Sequence, residues 1–338
     1  QVFYKPGMTV IAHEQFMEEC NRSKIRRKFG GVAMFGLQYP IANRFPMYWN
    51  DLEKETITPL YLHLEEVPHK EMVWPNKTFK DRYSFSLGGL TFNLIHTPGE
   101  TPDQISVHIP ELDLVCCGDN FYYSFPNLYT IRGTSYRQVT EWAEAQDKII
   151  ELAPEILVPC HGSAIHGKDN IKTILENYRD AIKHVQEQAT DAARKAVPID
   201  SAMKKAVLPP NLAKLPYLQE YYGSVEYSFR AIYHSLVGWF DGDPVNLQPQ
   251  TFKELGADIL AIAGSADKIL KQAEKAQQQG RHQAALELCE LVLANEPENR
   301  AAREMKIISL EAKSRQTINA PTVNWYRTFA DGEKKKLK

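Results

Sequence analysis

Three polar residues stand just past apolar, strand-like runs: Glu100 after "NLIHTPG", Asp119 after "LVCCG" and His161 after "ILVPC". Carboxylates and an imidazole supply the oxygen and nitrogen donors that a divalent metal such as zinc takes up. The stretch "HTPGETPDQIS", residues 96 to 106, has the form of a metal-site loop, with the carboxylate of Glu100 where an imidazole is commoner. Taken singly, an Asp or His in a turn is more often structural than functional. The information lies in the repetition, because loops at strand ends are where α/β proteins assemble their sites.

The elements that must position these residues follow from periodicity. "MTVIAH" (8 to 13) reads as a short buried strand and "EQFMEECNRSKIRRKF" (14 to 29) as a helix. "YSFSLGG" and "LTFNLIHTPG" read as a hairpin across "LGGL", and "ISVHIPELDLVCCGDN" reads as a second hairpin ending at Gly118-Asp119. A helix is predicted over "YRQVTEWAEAQDKIIELA" (136 to 153), followed by the strand "EILVPCHG". From about residue 169 the pattern is helical, broken by "LPPNLAKLPYL" and by the loop "WFDGDPVNLQP". The stretch from "AEKAQQQG" to "ISLEA" resembles a tetratricopeptide-like hairpin with Gly280 at its turn, although a generic helical hairpin accounts for it as well.

The 338 residues suggest two domains. The expected division is 1–168, α/β; 169–318, helical; and 319–338, a tail closing on the solvated "EKKKLK". A formal net charge of −2 gives no global case for nucleic acid or a membrane surface. No run approaches the ~20 apolar residues of a membrane span. No signal-peptide pattern opens the chain, which favours the cytoplasm and leaves the compartment open. Five cysteines without a CxxC pair do not form a disulfide framework. The abrupt start at Gln1, close to a strand, suggests residues upstream.

In combination and in this order, "TPGETPDQ", "CCGDN" and "VPCHG" resemble three ligand loops of the metallo-β-lactamase superfamily, with the helix from Tyr136 falling between the second and third as in that family. Glu100 in place of His narrows the resemblance to the alkyl sulfatase branch. So do "PNLYTIRG" at 126 to 133 and "YYGSVEYSFRAIYHSLVGWFDGDPVNLQP" at 221 to 249. The fold implied is a partial αββα sandwich of α/β class, followed by an all-α dimerisation domain.

The resemblance implies hydrolysis of alkyl sulfate esters, dodecyl sulfate among them, by a metal-bound hydroxide, and a homodimer formed through the helical domain. It also implies two zinc ions in a complete site, with Glu100, Asp119 and His161 as metal ligands. Asn127 and Arg132 would grip the sulfate; a planar guanidinium suits a tetrahedral oxyanion. The family's HxHxDH motif is absent from the sequence, as is the sterol-carrier-like domain that closes many alkyl sulfatases, and Asp119 stands where that branch commonly has Glu.

Two rival readings follow from those departures. One is a truncated or degenerate copy that only dimerises, and the other is a hydrolase of another ester class on the same fold. Four further residues have structural readings: His96 as a packed side chain, His166 as an outer partner, Cys160 as a buried strand-end thiol and His13 as a surface residue. The aromatic-rich stretch from Phe45 to Pro75 could line a channel for an alkyl tail.

Overall fold

A computed structural model describes residues 5–20, 73–131 and 136–338. Arg132, most of the helix expected over 14–29 and most of the aromatic-rich stretch lie outside the described residues. The chain divides into two compact units after Gly238.

In the first unit, β1 (Ile11–His13) pairs in parallel with β2 (Lys77–Phe79). A six-stranded sheet runs in chain order through β3 (Arg82–Leu87), β4 (Leu90–His96), β5 (Ile105–Ile109), β6 (Leu114–Gly118), β7 (Ile156–Pro159) and β8 (Ile165–His166). The β3–β4 hairpin closes at Leu87↔Leu90, with Gly88 and Gly89 both at positive φ, the two-residue geometry whose twist matches that of the flanking strands. β4, β5 and β6 are antiparallel in succession, and β7 lies parallel to β6. A parallel neighbour requires a crossover, and α1 (Val139–Glu151) supplies it.

Strands β4, β6 and β7 therefore run in the same direction, and their C-terminal ends share one edge of the sheet. α1 buries Val139, Trp142, Ala143, Gln146 and Ile149, the three-and-four spacing of a single apolar face. α2 (Lys168–Arg194) packs along α1 with Leu175, Tyr178 and Ile182 fully buried. Expected as the start of the helical domain, α2 instead joins the core of the first unit, because its apolar face is covered by α1 and by α3 (Val225–Val237).

The second unit is helical. α4 (Phe252–Ala263) opens with a capping box in which the Thr251 side chain and Glu254 exchange hydrogen bonds. α5 (Ala266–Gln278) and α6 (His282–Leu293) form the hairpin around Gly280, and α7 (Arg300–Arg315) follows. Small buried residues, Ala273, Ala276, Ala285 and Ala302 among them, let these helices approach closely.

Residues 319–338, expected as a tail, fold into α8 (Ala320–Lys336). The Asn319 side chain accepts from the Thr322 N–H at 3.1 Å, and Pro321 sits in the first turn, where its missing N–H costs nothing. Glu333 of α8 is buried against Arg303 and lies 3.3 Å from Lys306 of α7. Among the described residues no helix is long and apolar enough to cross a membrane.

The cysteines differ sharply in exposure. Cys289, in the α5–α6 core, has its thiol pushed up to about 12 by burial, and Cys117 is raised further by the same cause. Cys160, expected to be a buried thiol, is exposed, because β7 ends at Pro159 and releases the chain. A disulfide reagent is expected to label Cys160 in the native protein and to reach Cys117 and Cys289 only after unfolding. Peptide mapping of the labelled protein checks this, and native labelling of Cys289 would contradict the packing described.

Candidate active site

The three strand-end residues arrive at the same edge of the sheet by different turns. At the end of β6, Gly118 takes a left-handed φ of +60° and turns the chain into Asp119. The next residue, Asn120, is fully buried. Its backbone carbonyl accepts from Trp142 Nε1 at 3.0 Å and from Gln146 Nε2 at 2.8 Å, and its Nδ2 donates to the Thr97 carbonyl at 2.8 Å. Helix α1 and the loop after β4 therefore fix the turn that carries Asp119.

His161 stands two residues beyond the end of β7, and the Cys160 N–H donates to the Gly118 carbonyl at 3.0 Å, tying the two turns together. The result is direct contact: His161 Nδ1 donates to Asp119 Oδ1 at 2.6 Å. The carboxylate raises the imidazole pKa through this bond, against a lesser lowering by burial. The imidazole side chain is 66% exposed, so the pair faces solvent and contributes little to stability.

The folded-state pKa of His161 lies above the usual ~6.5. The pair's small contribution is therefore fully present below that value and fades as pH rises through the folded-state pKa. Imidazole NMR titration is expected to place His161 above the ordinary range and to return it toward ~6.5 in Asp119→Asn. An unchanged value in the variant would mean that the bond does not form in solution.

Glu100 is placed otherwise. It lies four residues beyond the end of β4. The Glu100 carboxylate is met by Arg137, whose Nη2 donates to Oε1 at 3.0 Å, with the two side chains only 8% and 12% exposed. Arg137 also donates through Nη1 to the backbone carbonyl of Asn127, and its guanidinium lies 5.6 Å from the Trp142 ring centroid. The Asn127 N–H donates to Tyr122 Oη at 2.6 Å, and both residues are buried. Burial keeps the Tyr122 phenol neutral by raising its pKa well above the ordinary range.

Arg137 is the functional candidate that the sequence reading missed. It belongs to no motif and precedes the first turn of α1, and only its placement beside Glu100 and Asn127 singles it out.

His13, expected at the surface, is buried at 2% exposure. Its ring stacks on His96 at 3.7 Å, and its Nε2 donates to the Lys80 carbonyl at 2.7 Å. His96 is packed, as its position on the strand implies, and burial lowers its pKa. His166 is exposed on β8, and its backbone carbonyl accepts from Asn170.

Among the described residues no three His, Cys, Asp or Glu side chains are grouped closely enough to hold a metal ion. A catalytic zinc takes at least three protein ligands. Asp119 and His161 make one touching pair, and Glu100 is engaged by Arg137. The described donors therefore do not fit a complete two-metal centre. What the pair can do on its own is hold an imidazole in one orientation with Nε2 directed away from the carboxylate, the arrangement in which a carboxylate orients a base.

Residues 49–161 match the metallo-beta-lactamase superfamily, and residues 199–336 match alkyl sulfatase dimerisation. A linear primary-alkylsulfatase of Pseudomonas sp. is 33% identical over 254 residues, covering 75% of this chain and 48% of that protein. The chain belongs to the alkyl sulfatase branch of the metallo-β-lactamase superfamily.

An (R)-specific secondary-alkylsulfatase of Pseudomonas sp. is 29% identical over 265 residues, covering 77% of this chain and 40% of that protein. The chain thus spans about half the length, or less, of the curated relatives it matches. The solved structure of a stereoselective inverting sec-alkylsulfatase of Pseudomonas sp. superposes with a TM-score of 0.78 at 24% identity, covering 95% of this chain and 51% of that one, which shows the shared fold.

Proposed function

We propose that the protein takes part in hydrolysis of alkyl sulfate esters, dodecyl sulfate being the test substrate, to an alcohol and inorganic sulfate. The observation that carries this reading is the convergence of Glu100, Asp119 and His161 on one sheet edge in a chain of alkyl sulfatase lineage. Glu100, Asp119 and His161 are proposed as members of a zinc ligand set. Asn127 and Arg132 are proposed as the groups that hold the sulfate. In this reading Asp119 fixes the His161 imidazole, and the buried turn through Asn127 borders the sulfate.

The helical portion is proposed to form a homodimer, supported by the match of residues 199–336 to alkyl sulfatase dimerisation.

A second reading, a dimerising scaffold without catalysis, is favoured by one observation: the described residues bring only two of the three donors into contact. Release of inorganic sulfate and 1-dodecanol from dodecyl sulfate, measured with and without added zinc, separates the two. The hydrolase reading expects equimolar products whose formation depends on zinc. The scaffold reading expects none from a protein that sediments as a dimer.

A further inference from the structure

Asn127 sits in a turn with no regular secondary structure, yet both sides of its backbone are held. Its N–H donates to the buried Tyr122 hydroxyl, and its carbonyl accepts from Arg137. The same guanidinium donates from its other terminal nitrogen to Glu100, in the loop after β4. A planar fork with donors pointing two ways can join two loops, which the single ammonium of a lysine cannot do at the same spacing. The contact is buried, so solvent neither screens it nor supplies a replacement donor. The loop bearing Glu100 and the turn bearing Asn127 are thus tied through one side chain.

We infer that Arg137 is a positioning residue that sets Asn127 for the sulfate group by locking its peptide to the Glu100 loop, with Tyr122 as the second half of the clamp. The inference rests on the reading of Asn127 as a sulfate-holding residue. Arg137 does not touch substrate in this account. It acts through Asn127, so its loss matters only while the Asn127 side chain is there to be placed.

The test is a double-mutant cycle on binding of 1-decanesulfonate, which keeps the anionic head and alkyl tail but has no ester oxygen to cleave. Its dissociation constant is measured by calorimetry for the wild type, Arg137→Lys, Asn127→Ala and the double variant, with circular dichroism confirming each fold. Arg137→Lys is expected to weaken binding about tenfold in the wild-type background and less than about twofold in the Asn127→Ala background. Tyr122→Phe, which leaves Arg137 in place and frees the other side of the peptide, is expected to show the same dependence on Asn127. Equal penalties in both backgrounds would overturn the inference and leave Arg137 a structural residue. Absence of binding by the wild type would instead overturn the sulfate-ester reading, and the inference with it.

Discussion

Asp119→Asn is expected to reduce sulfate release from dodecyl sulfate by on the order of a thousandfold or more, with little change in thermal stability. Asp119 is partly exposed and makes its bond to an imidazole that is itself open to solvent, so the fold has little invested in the pair. Its chemistry is another matter. The carboxylate accepts the Nδ1–H of His161 at 2.6 Å and so fixes both the tautomer and the ring plane. An amide of the same size presents a donor as well as an acceptor, and it carries no charge to hold the imidazolium. The same change removes a negative donor from any metal that the site takes up. Initial rates of sulfate release, alongside a melting curve, check both halves. A variant with wild-type rates would remove Asp119 from the site.

Gly99→Ala is expected to destabilise the first unit by about 2–4 kcal/mol, the sum of overpacking and a disturbed buried hydrogen bond. A Cβ at Gly99 would fall 2.0 Å from Asn120 Oδ1 and 2.9 Å from Trp142 Cδ1. Neither neighbour can give way. Asn120 is fixed by its bond to the Thr97 carbonyl and by two donors on its own carbonyl, and Trp142 is wholly buried. The same displacement would move Glu100, the next residue, and slacken its pairing with Arg137. Urea unfolding of Gly99→Ala checks the magnitude. The control is Gly332→Ala in α8, where a Cβ meets nothing within 4 Å and helix propensity favours alanine by about 1 kcal/mol. A loss below about 0.5 kcal/mol for Gly99→Ala would mean that the loop repacks freely.

Much of the site's scaffold was legible in the sequence because its signals are local. Gly-Gly between two alternating runs fixes the β3–β4 hairpin, and Gly118 marks the turn that aims Asp119. Family-like loops then placed Glu100, Asp119 and His161 at strand ends, and the strand directions bring those ends to one edge. Which of the three touch is decided by their partners: His161 bonds to Asp119, while Arg137 takes up Glu100. Those partners come together from distant segments, which periodicity does not report.

Arg137 was illegible for a similar reason. Its two acceptors lie ten and thirty-seven positions away, and nothing in "TSYRQVT" announces either. His13 was misjudged because its cover comes from His96, on a strand far along the chain. The closing helix is different, since a local signal was present: Asn319 followed by Ala-Pro-Thr is a helix start, and the lysine-rich end of that helix masked it.

The measurement that bears most directly on the central claim is a time course of inorganic sulfate released from dodecyl sulfate by the zinc-supplied wild-type protein, followed by ion chromatography. The account predicts sulfate accumulating in proportion to protein concentration, matched mole for mole by 1-dodecanol. A folded, dimeric protein that releases no sulfate under those conditions would contradict it and leave the sheet edge of Glu100, Asp119 and His161 without a hydrolytic role.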